Sequence, residues 1–236
     1  MVLSNSLGTK LEMWDRQLPA LVERFRVLRY DSRGHGRSPV SPGPYAMADL
    51  GGDVVELLDR LEIERASFCG ISMGGMVGLW LGVNAPERIE RLALCCTSAQ
   101  LLSPKEWAER AATVREQGVV ALADATIERW FSPAFREAAP ELIAGIRRTL
   151  ADTPAEGYAA CCEAIGGHDE RERLGQITAP TLVVGTEDDP STPPENARLI
   201  AAGIAGARLE LLQEGLHLCN IERPEEFNRV LVEHLA

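Results

Sequence analysis

The chain has 236 residues, 45% of them hydrophobic and 25% charged, enough to bury a substantial core as one large domain or as a domain with an insertion. Its 24 Lys and Arg against 35 Asp and Glu leave a net charge of -11, which argues against a surface that tracks nucleic-acid phosphates and gives no global attraction for anions. No apolar run approaches the roughly 20 residues a membrane-spanning helix needs, and no signal-peptide pattern opens the chain.

"MVLS" predicts a first strand, "EMWDRQLPALVE" a helix and "FRVLRYD" a second strand. "YAMADLGGDVVELLDRL" repeats apolar residues at helical spacing, "RASFCG" is extended, and "GMVGLWLGVNAPERI" is helical again. After the strand "RLALCC" the alternation stops. From about Ser98 to Arg173 come only helical segments punctuated by proline and glycine: "PKEWAERAATVREQG", "VVALADATIERWF", "PAFREAAPELIAGIRRTLAD" and "PAEGYAACCEAIGG". "PTLVVGT" and "ARLELL" complete the strands, and "ERPEEFNRVLVEHL" is a final helix with Pro224 in its first turn. The order predicts an α/β protein with a mostly parallel sheet flanked by helices. The core is expected at residues 1–97 and 173–236, with 98–172 inserted as a helical cap over the strand ends.

The six cysteines include the neighbours Cys95 and Cys96 and the neighbours Cys161 and Cys162, none in C-x-x-C spacing. Reduced, buried thiols in a cytoplasmic protein are expected, rather than a zinc or dithiol redox site.

"FCGISMGG", residues 68–75, sets Ser72 between Gly70 and Gly74 where a strand gives way to a helix. The G-x-S-x-G pattern alone is weak. At a strand–helix junction it is the context of a nucleophile elbow, a strained turn in which a Cβ two residues to either side would collide with neighbouring backbone. The following helix aims free N–H groups and its positive dipole end at the serine.

A serine hydroxyl needs a base, and the base an orienting carboxylate, arriving in this architecture in the order Ser, Asp or Glu, His. Of four histidines, His35 precedes Ser72 and is read as shaping the turn "DSRGHGRS"; His168 stands at the exit of the helical stretch, and His234 in the terminal helix. His217 follows the last strand after Gly215, where the base belongs. "TEDDPSTPP" offers Asp189, favoured because Pro190 follows it and Thr192 stands three residues on, with Asp188 as the alternative and Glu187 in a solvated acidic face. For the oxyanion, the backbone N–H groups of Met73 and of Leu7 in "SNSLGT" are the expected donors.

These residues resemble the α/β-hydrolase family and, within it, the 3-oxoadipate enol-lactonases of aromatic-compound catabolism, the β-ketoadipate pathway. The resemblance runs from "LSNSLGTKLEMWDRQ" through "FRVLRYDSRGHGRSPV", "FCGISMGGMVG" and "ERWFSPAF" to "EGLHLCNIERPEEF", so it spans essentially the whole chain. It implies the triad Ser72, Asp189 and His217, oxyanion donors Leu7 and Met73, and Trp130 lining the pocket under the cap. The lactone's own carboxylate calls for a cationic anchor, either Arg33 or a cap arginine such as Arg129.

Two departures stand out. The family's usual pair of strands ahead of "VLSNS" is missing, which would leave "FRVLRY" as a sheet edge open to another chain and keeps a homo-oligomer open. "GTEDDP" carries an apparent extra residue next to the acid. With neither a P-loop nor a G-x-G-x-x-G pattern, no metal or organic cofactor is expected. The expected partner is a small-molecule lactone, with no nucleic acid or membrane. The rival readings are a general carboxylesterase with the same machinery and a ligand-binding receptor that hydrolyses slowly. A haloalkane dehalogenase is excluded because its nucleophile is a carboxylate and position 72 is serine.

Overall fold

Six segments become the six strands of one sheet in a computed structural model that describes residues 1–101 and 103–235. The strands are β1 (Val2–Ser4), β2 (Leu28–Arg29), β3 (Ala66–Ile71), β4 (Ile89–Cys95), β5 (Thr181–Thr186) and β6 (Arg208–Leu212). Their order is β2-β1-β3-β4-β5-β6, and every neighbouring pair is parallel. β3 and β5 are buried at every residue, as strands covered on both faces must be, and this is why they read as largely apolar runs.

The helices that cover the sheet are α1 (Leu18–Leu21), α2 (Met47–Arg60), α3 (Met73–Asn84), α9 (Pro194–Gly203), α10 (Cys219–Glu222) and α11 (Pro224–Leu235). Between β4 and β5 run α4 (Pro104–Gln117), α5 (Val120–Trp130), α6 (Pro133–Ala138), α7 (Pro140–Ala151) and α8 (Ala155–Gly166). Among the described residues of that stretch there is no strand. α4 packs along α8, and α8 seats on the "DSRGHGRS" turn through glycine. A Cβ built on Gly157 would overlap the backbone of Gly34, so only two glycines let helix and turn come this close. No helix among the described residues is long and apolar enough to cross a membrane.

Several boundaries differ from expectation, each for a local reason. "FRVLRYD" forms a strand only at Leu28–Arg29, because its partner β1 is three residues long and pairs through Val2 and Leu3 alone. "EMWDRQLPALVE" is not one helix but a 3-10 turn, Leu11–Trp14, and the short α1, since Pro19 has no N–H to continue a helix from the preceding turn. Pro140 likewise divides the "PAFREAAPELIAGIRRTLAD" segment into α6 and α7. α9 was not anticipated. It follows two prolines and buries only Ala197 and Ile200, too thin a stripe to stand out as periodic.

Candidate active site

Ser72 joins β3 to α3 with φ 57° and ψ -117°, a positive-φ backbone that a serine adopts only under constraint. Its N–H donates to the Cys95 carbonyl of β4 (2.9 Å), while its own carbonyl accepts from Thr97 Oγ1 (2.7 Å) and from the Met76 N–H of α3 (3.0 Å). A Cβ at Gly70 would overlap the Gly74 carbonyl, and a Cβ at Gly74 would overlap the Ser4 carbonyl at the end of β1. Both glycines therefore allow the turn to be this tight, which is the collision their spacing predicts.

His217 is 2% exposed and lies in the loop after β6, where its Nδ1 meets Asp189 Oδ2 at 2.8 Å. The Asp189 carboxylate is fixed from two further sides. Oδ1 accepts from the N–H groups of Ser191 (2.7 Å) and Thr192 (3.0 Å), and Oδ2 also accepts from Thr192 Oγ1 (2.6 Å). Burial alone would raise its pKa, but His217 and the Thr192 hydrogen bonds outweigh burial and hold it below the usual carboxylate value. Asp188 is exposed, and Glu187 pairs with Arg198 at 3.1 Å, so neither contacts the imidazole. An Asp-oriented imidazole of this kind can hold a proton on Nδ1 and present a basic Nε2. The other histidines lie elsewhere: His35 under the Asn5–Thr9 loop, His168 buried at the end of the helical stretch, and His234 against the Leu92 carbonyl (3.0 Å).

Leu7 and Met73 are both buried, and among the described residues neither backbone N–H has a hydrogen-bond partner. A buried N–H without a partner is costly and rare in a folded protein. Leu7 lines the same cavity as Ser72, and Met73 is the first residue of α3.

Ser72 and His217 open onto one cavity of 260 Å³, small against the roughly 300–1,000 Å³ of drug-sized ligand sites. Ser6, Leu7 and Thr192 line it from the sheet side, and Trp107, Arg110, Arg129, Trp130 and Tyr158 from α4, α5 and α8. The helical stretch is tied to the His217 loop. Leu218 N–H donates to the Trp130 carbonyl (3.2 Å), and Glu222 accepts from the N–H groups of both Ser132 (3.3 Å) and Leu216 (3.2 Å).

The cationic side of the cavity is not where Arg33 was expected. Arg33 donates to Asp53 through Nε (2.6 Å) and Nη2, lies over the Tyr45 ring, and does not reach this cavity, so it is no anchor for a ligand there. Arg129, the alternative, does line it, together with Arg110, which the sequence reading missed. Arg110 donates to Tyr158 OH (2.6 Å), and both guanidinium groups approach Thr126 Oγ1 (3.4 Å). Among the described residues neither arginine pairs with a carboxylate, and burial and then the charge of Arg110 hold the Arg129 pKa below its ordinary value. The signal for Arg110 was its place in α4, where it stands on the same stripe as the buried Trp107, Ala111 and Val114. A cation there faces inward.

A larger cavity of 460 Å³ runs between the Leu11–Trp14 turn and α7, but neither Ser72 nor His217 lines it. Among the described residues no cluster of three His, Cys, Asp or Glu side chains is placed to hold a metal ion.

Residues 1–224 match the sequence profile of the alpha/beta hydrolase fold. A protein of Acinetobacter baylyi named 3-oxoadipate enol-lactonase 2 is 42% identical over 231 residues, 98% of this chain and 86% of its own length. The crystal structure of the enol-lactonase from Burkholderia xenovorans LB400 superposes with a TM-score of 0.97 at 47% identity, over 99% of this chain and 90% of that one. A thermophilic esterase from Thermogutta terrifontis, solved with malate bound, superposes with a TM-score of 0.93 at 29% identity, over 98% of this chain and 87% of that one.

Proposed function

This chain belongs to the alpha/beta hydrolase fold family, and from that premise we propose that it opens the ring of 3-oxoadipate enol-lactone by acyl transfer to Ser72. The observation that carries this reading is the meeting of a strained serine, an Asp-held imidazole and two unpaired arginines around one small cavity.

His217 Nε2 takes the Ser72 proton as Oγ attacks the lactone carbonyl, and Asp189 stabilises the imidazolium through Nδ1. The carbonyl oxygen becomes an oxyanion received by the N–H groups of Leu7 and Met73; a donor of this kind contributes about 2.7–4 kcal/mol. Collapse breaks the ring C–O bond, the His217 imidazolium gives its proton to the departing oxygen, and the acyl-enzyme keeps a tethered enol, a better leaving group than an alkoxide. Its tautomerisation to the ketone removes it as a nucleophile and makes opening effectively irreversible. Water, deprotonated by His217, attacks the acyl carbon and frees 3-oxoadipate, returning the proton to Ser72.

The arginines account for a charged substrate inside an acidic protein. Arg110 and Arg129 repel one another in a half-buried space, and a carboxylate there would relieve that repulsion through charge-assisted hydrogen bonds. We read residues 98–172 as the cap that carries both cations over a core formed by 1–97 and 173–236. All six cysteines are free and buried, which fits action in a reducing compartment such as the cytoplasm.

The likeness to an esterase keeps a general carboxylesterase as the second reading, and the arginines separate the two. Catalytic efficiency on the enol-lactone is expected to exceed that on p-nitrophenyl acetate, an uncharged ester. Replacing either Arg110 or Arg129 by Met should raise KM for the lactone about 10- to 100-fold, at about 1.5–3 kcal/mol per charged hydrogen bond, and leave the aryl ester nearly unchanged. Preference for the aryl ester, with equal losses on both substrates, would instead identify a general carboxylesterase.

A further inference from the structure

Both peptide groups that flank Leu7 are tied. The Ser6 carbonyl accepts from the Thr9 N–H (3.2 Å) and from Thr9 Oγ1 (2.7 Å). In a trans peptide the N–H points opposite to the carbonyl, so a fixed Ser6 carbonyl also fixes the direction of the Leu7 N–H. On the other side, the Gly8 N–H donates to Nε2 of His35 at 2.9 Å. Gly8 has φ 77°, a conformation that glycine permits, and a side chain there would strike Leu150 and Tyr158.

An imidazole nitrogen accepts a hydrogen bond only when it carries no proton. His35 must therefore be neutral, with its hydrogen on Nδ1, which faces the Arg33 carbonyl at 3.2 Å. Its surroundings favour that form: the ring is 1% exposed, and burial brings its pKa down to about 4 against a weaker pull upward from the Arg33 carbonyl and Asp31. The turn that carries His35 is also the seat of α8, where Gly34 meets Gly157 and the His35 ring lies 6.4 Å from that of Tyr158.

We propose that His35 and Thr9 are positioning residues that aim the Leu7 N–H at the oxyanion, an inference that rests on the reading of Leu7 as an oxyanion donor. They touch no reacting atom. Thr9 sets the peptide plane before Leu7 and His35 the plane after it. This gives "NSLGT" and "DSRGHGRS" one shared purpose: a turn between β2 and α2 braces the loop after β1.

The test compares Thr9→Val with Thr9→Ser and His35→Phe with His35→Gln, where the first of each pair keeps bulk and the second restores a hydroxyl or an acceptor. Four quantities are measured: kcat and KM with the enol-lactone, affinity for a boronic acid that forms a tetrahedral adduct on Ser72, and affinity for the product 3-oxoadipate. Thr9→Val and His35→Phe should each lower kcat about 10-fold, less than the 10²–10³ lost when an oxyanion donor is removed outright. Boronate affinity should fall in step, KM and product affinity should hold, and the Ser and Gln variants should recover most of the loss. Parental kcat in both Thr9→Val and His35→Phe overturns the proposal. So does a parallel fall in boronate and product affinity, or a failure of both conservative variants to rescue. Should His35→Phe not fold, the Thr9 pair decides alone. Ser72→Ala run alongside separates this proposal from the reading beneath it. If Ser72→Ala is inactive while Thr9→Val and His35→Phe are unimpaired, only the positioning roles fail; if Ser72→Ala stays active, the serine mechanism fails.

Discussion

Asp189 is held by two backbone N–H groups and the Thr192 hydroxyl before it ever meets His217. This support keeps a 2%-exposed carboxylate charged and aimed at Nδ1, while Asp188, one residue earlier, faces solvent. Asp189→Asn should cost about 10⁴-fold in kcat, the scale of losing the group that orients and stabilises a catalytic imidazolium. Asp188→Asn should change kcat by less than about twofold, as exposed substitutions away from a site do. Steady-state rates on the enol-lactone check both, and equal losses would contradict the assignment. At this scale the sequence was most legible where chain order constrains chemistry. That Ser72 and His217 line one cavity was expected from a motif and from position after the last strand. The choice between Asp188 and Asp189 needed side-chain direction, which two adjacent acids do not reveal. Arg33 misled because its partner Asp53 stands 20 residues away on α2, and nothing in the linear order marks the pair.

The elbow works as a unit of strand, turn and helix, and its two glycines are contact points between backbones. Because the atoms that a Cβ would strike at Gly70 and Gly74 are backbone, no rotamer change can relieve the overlap. Gly70→Ala and Gly74→Ala should each destabilise the fold by about 1–3 kcal/mol and lower Tm by about 2–4 °C per kcal/mol. Gly52→Ala, in α2 with no atom within 4 Å of an added Cβ, is the contrast: it should hold or raise Tm, since alanine is the better helix residue. Calorimetry reads both, and an unchanged Tm in the first two would show that the turn has room to spare. Elements were legible where burial is complete, as in β3 and β5, whose apolar runs admit one interpretation. They were less legible at the sheet edge and beside prolines. There a partner's length set the bounds of β2, and a missing N–H divided the helical patterns around Pro19 and Pro140.

Over the whole molecule, a net charge of -11 repels the substrate class proposed here, and the answer is local: Arg110 and Arg129 face the cavity from helices inserted between β4 and β5. The same helices bond to the His217 loop through Trp130 and Ser132 and seat on the His35 turn through Gly157, so the arginine-bearing helices and the loops around Ser72 and His217 share supports. The placement of this insertion was legible from the break in strand–helix alternation. Its inward-facing cation on α4 was not, because helical spacing marks a buried face without saying that the face borders a cavity. The most direct measurement follows 3-oxoadipate formation from the enol-lactone by the parent protein and by Ser72→Ala at equal concentration. The parent should turn over steadily, and the variant should lose about 10⁶-fold in kcat, the scale seen when a serine nucleophile is removed. A parent that forms no 3-oxoadipate, or a Ser72→Ala protein within tenfold of it, would contradict the proposed chemistry.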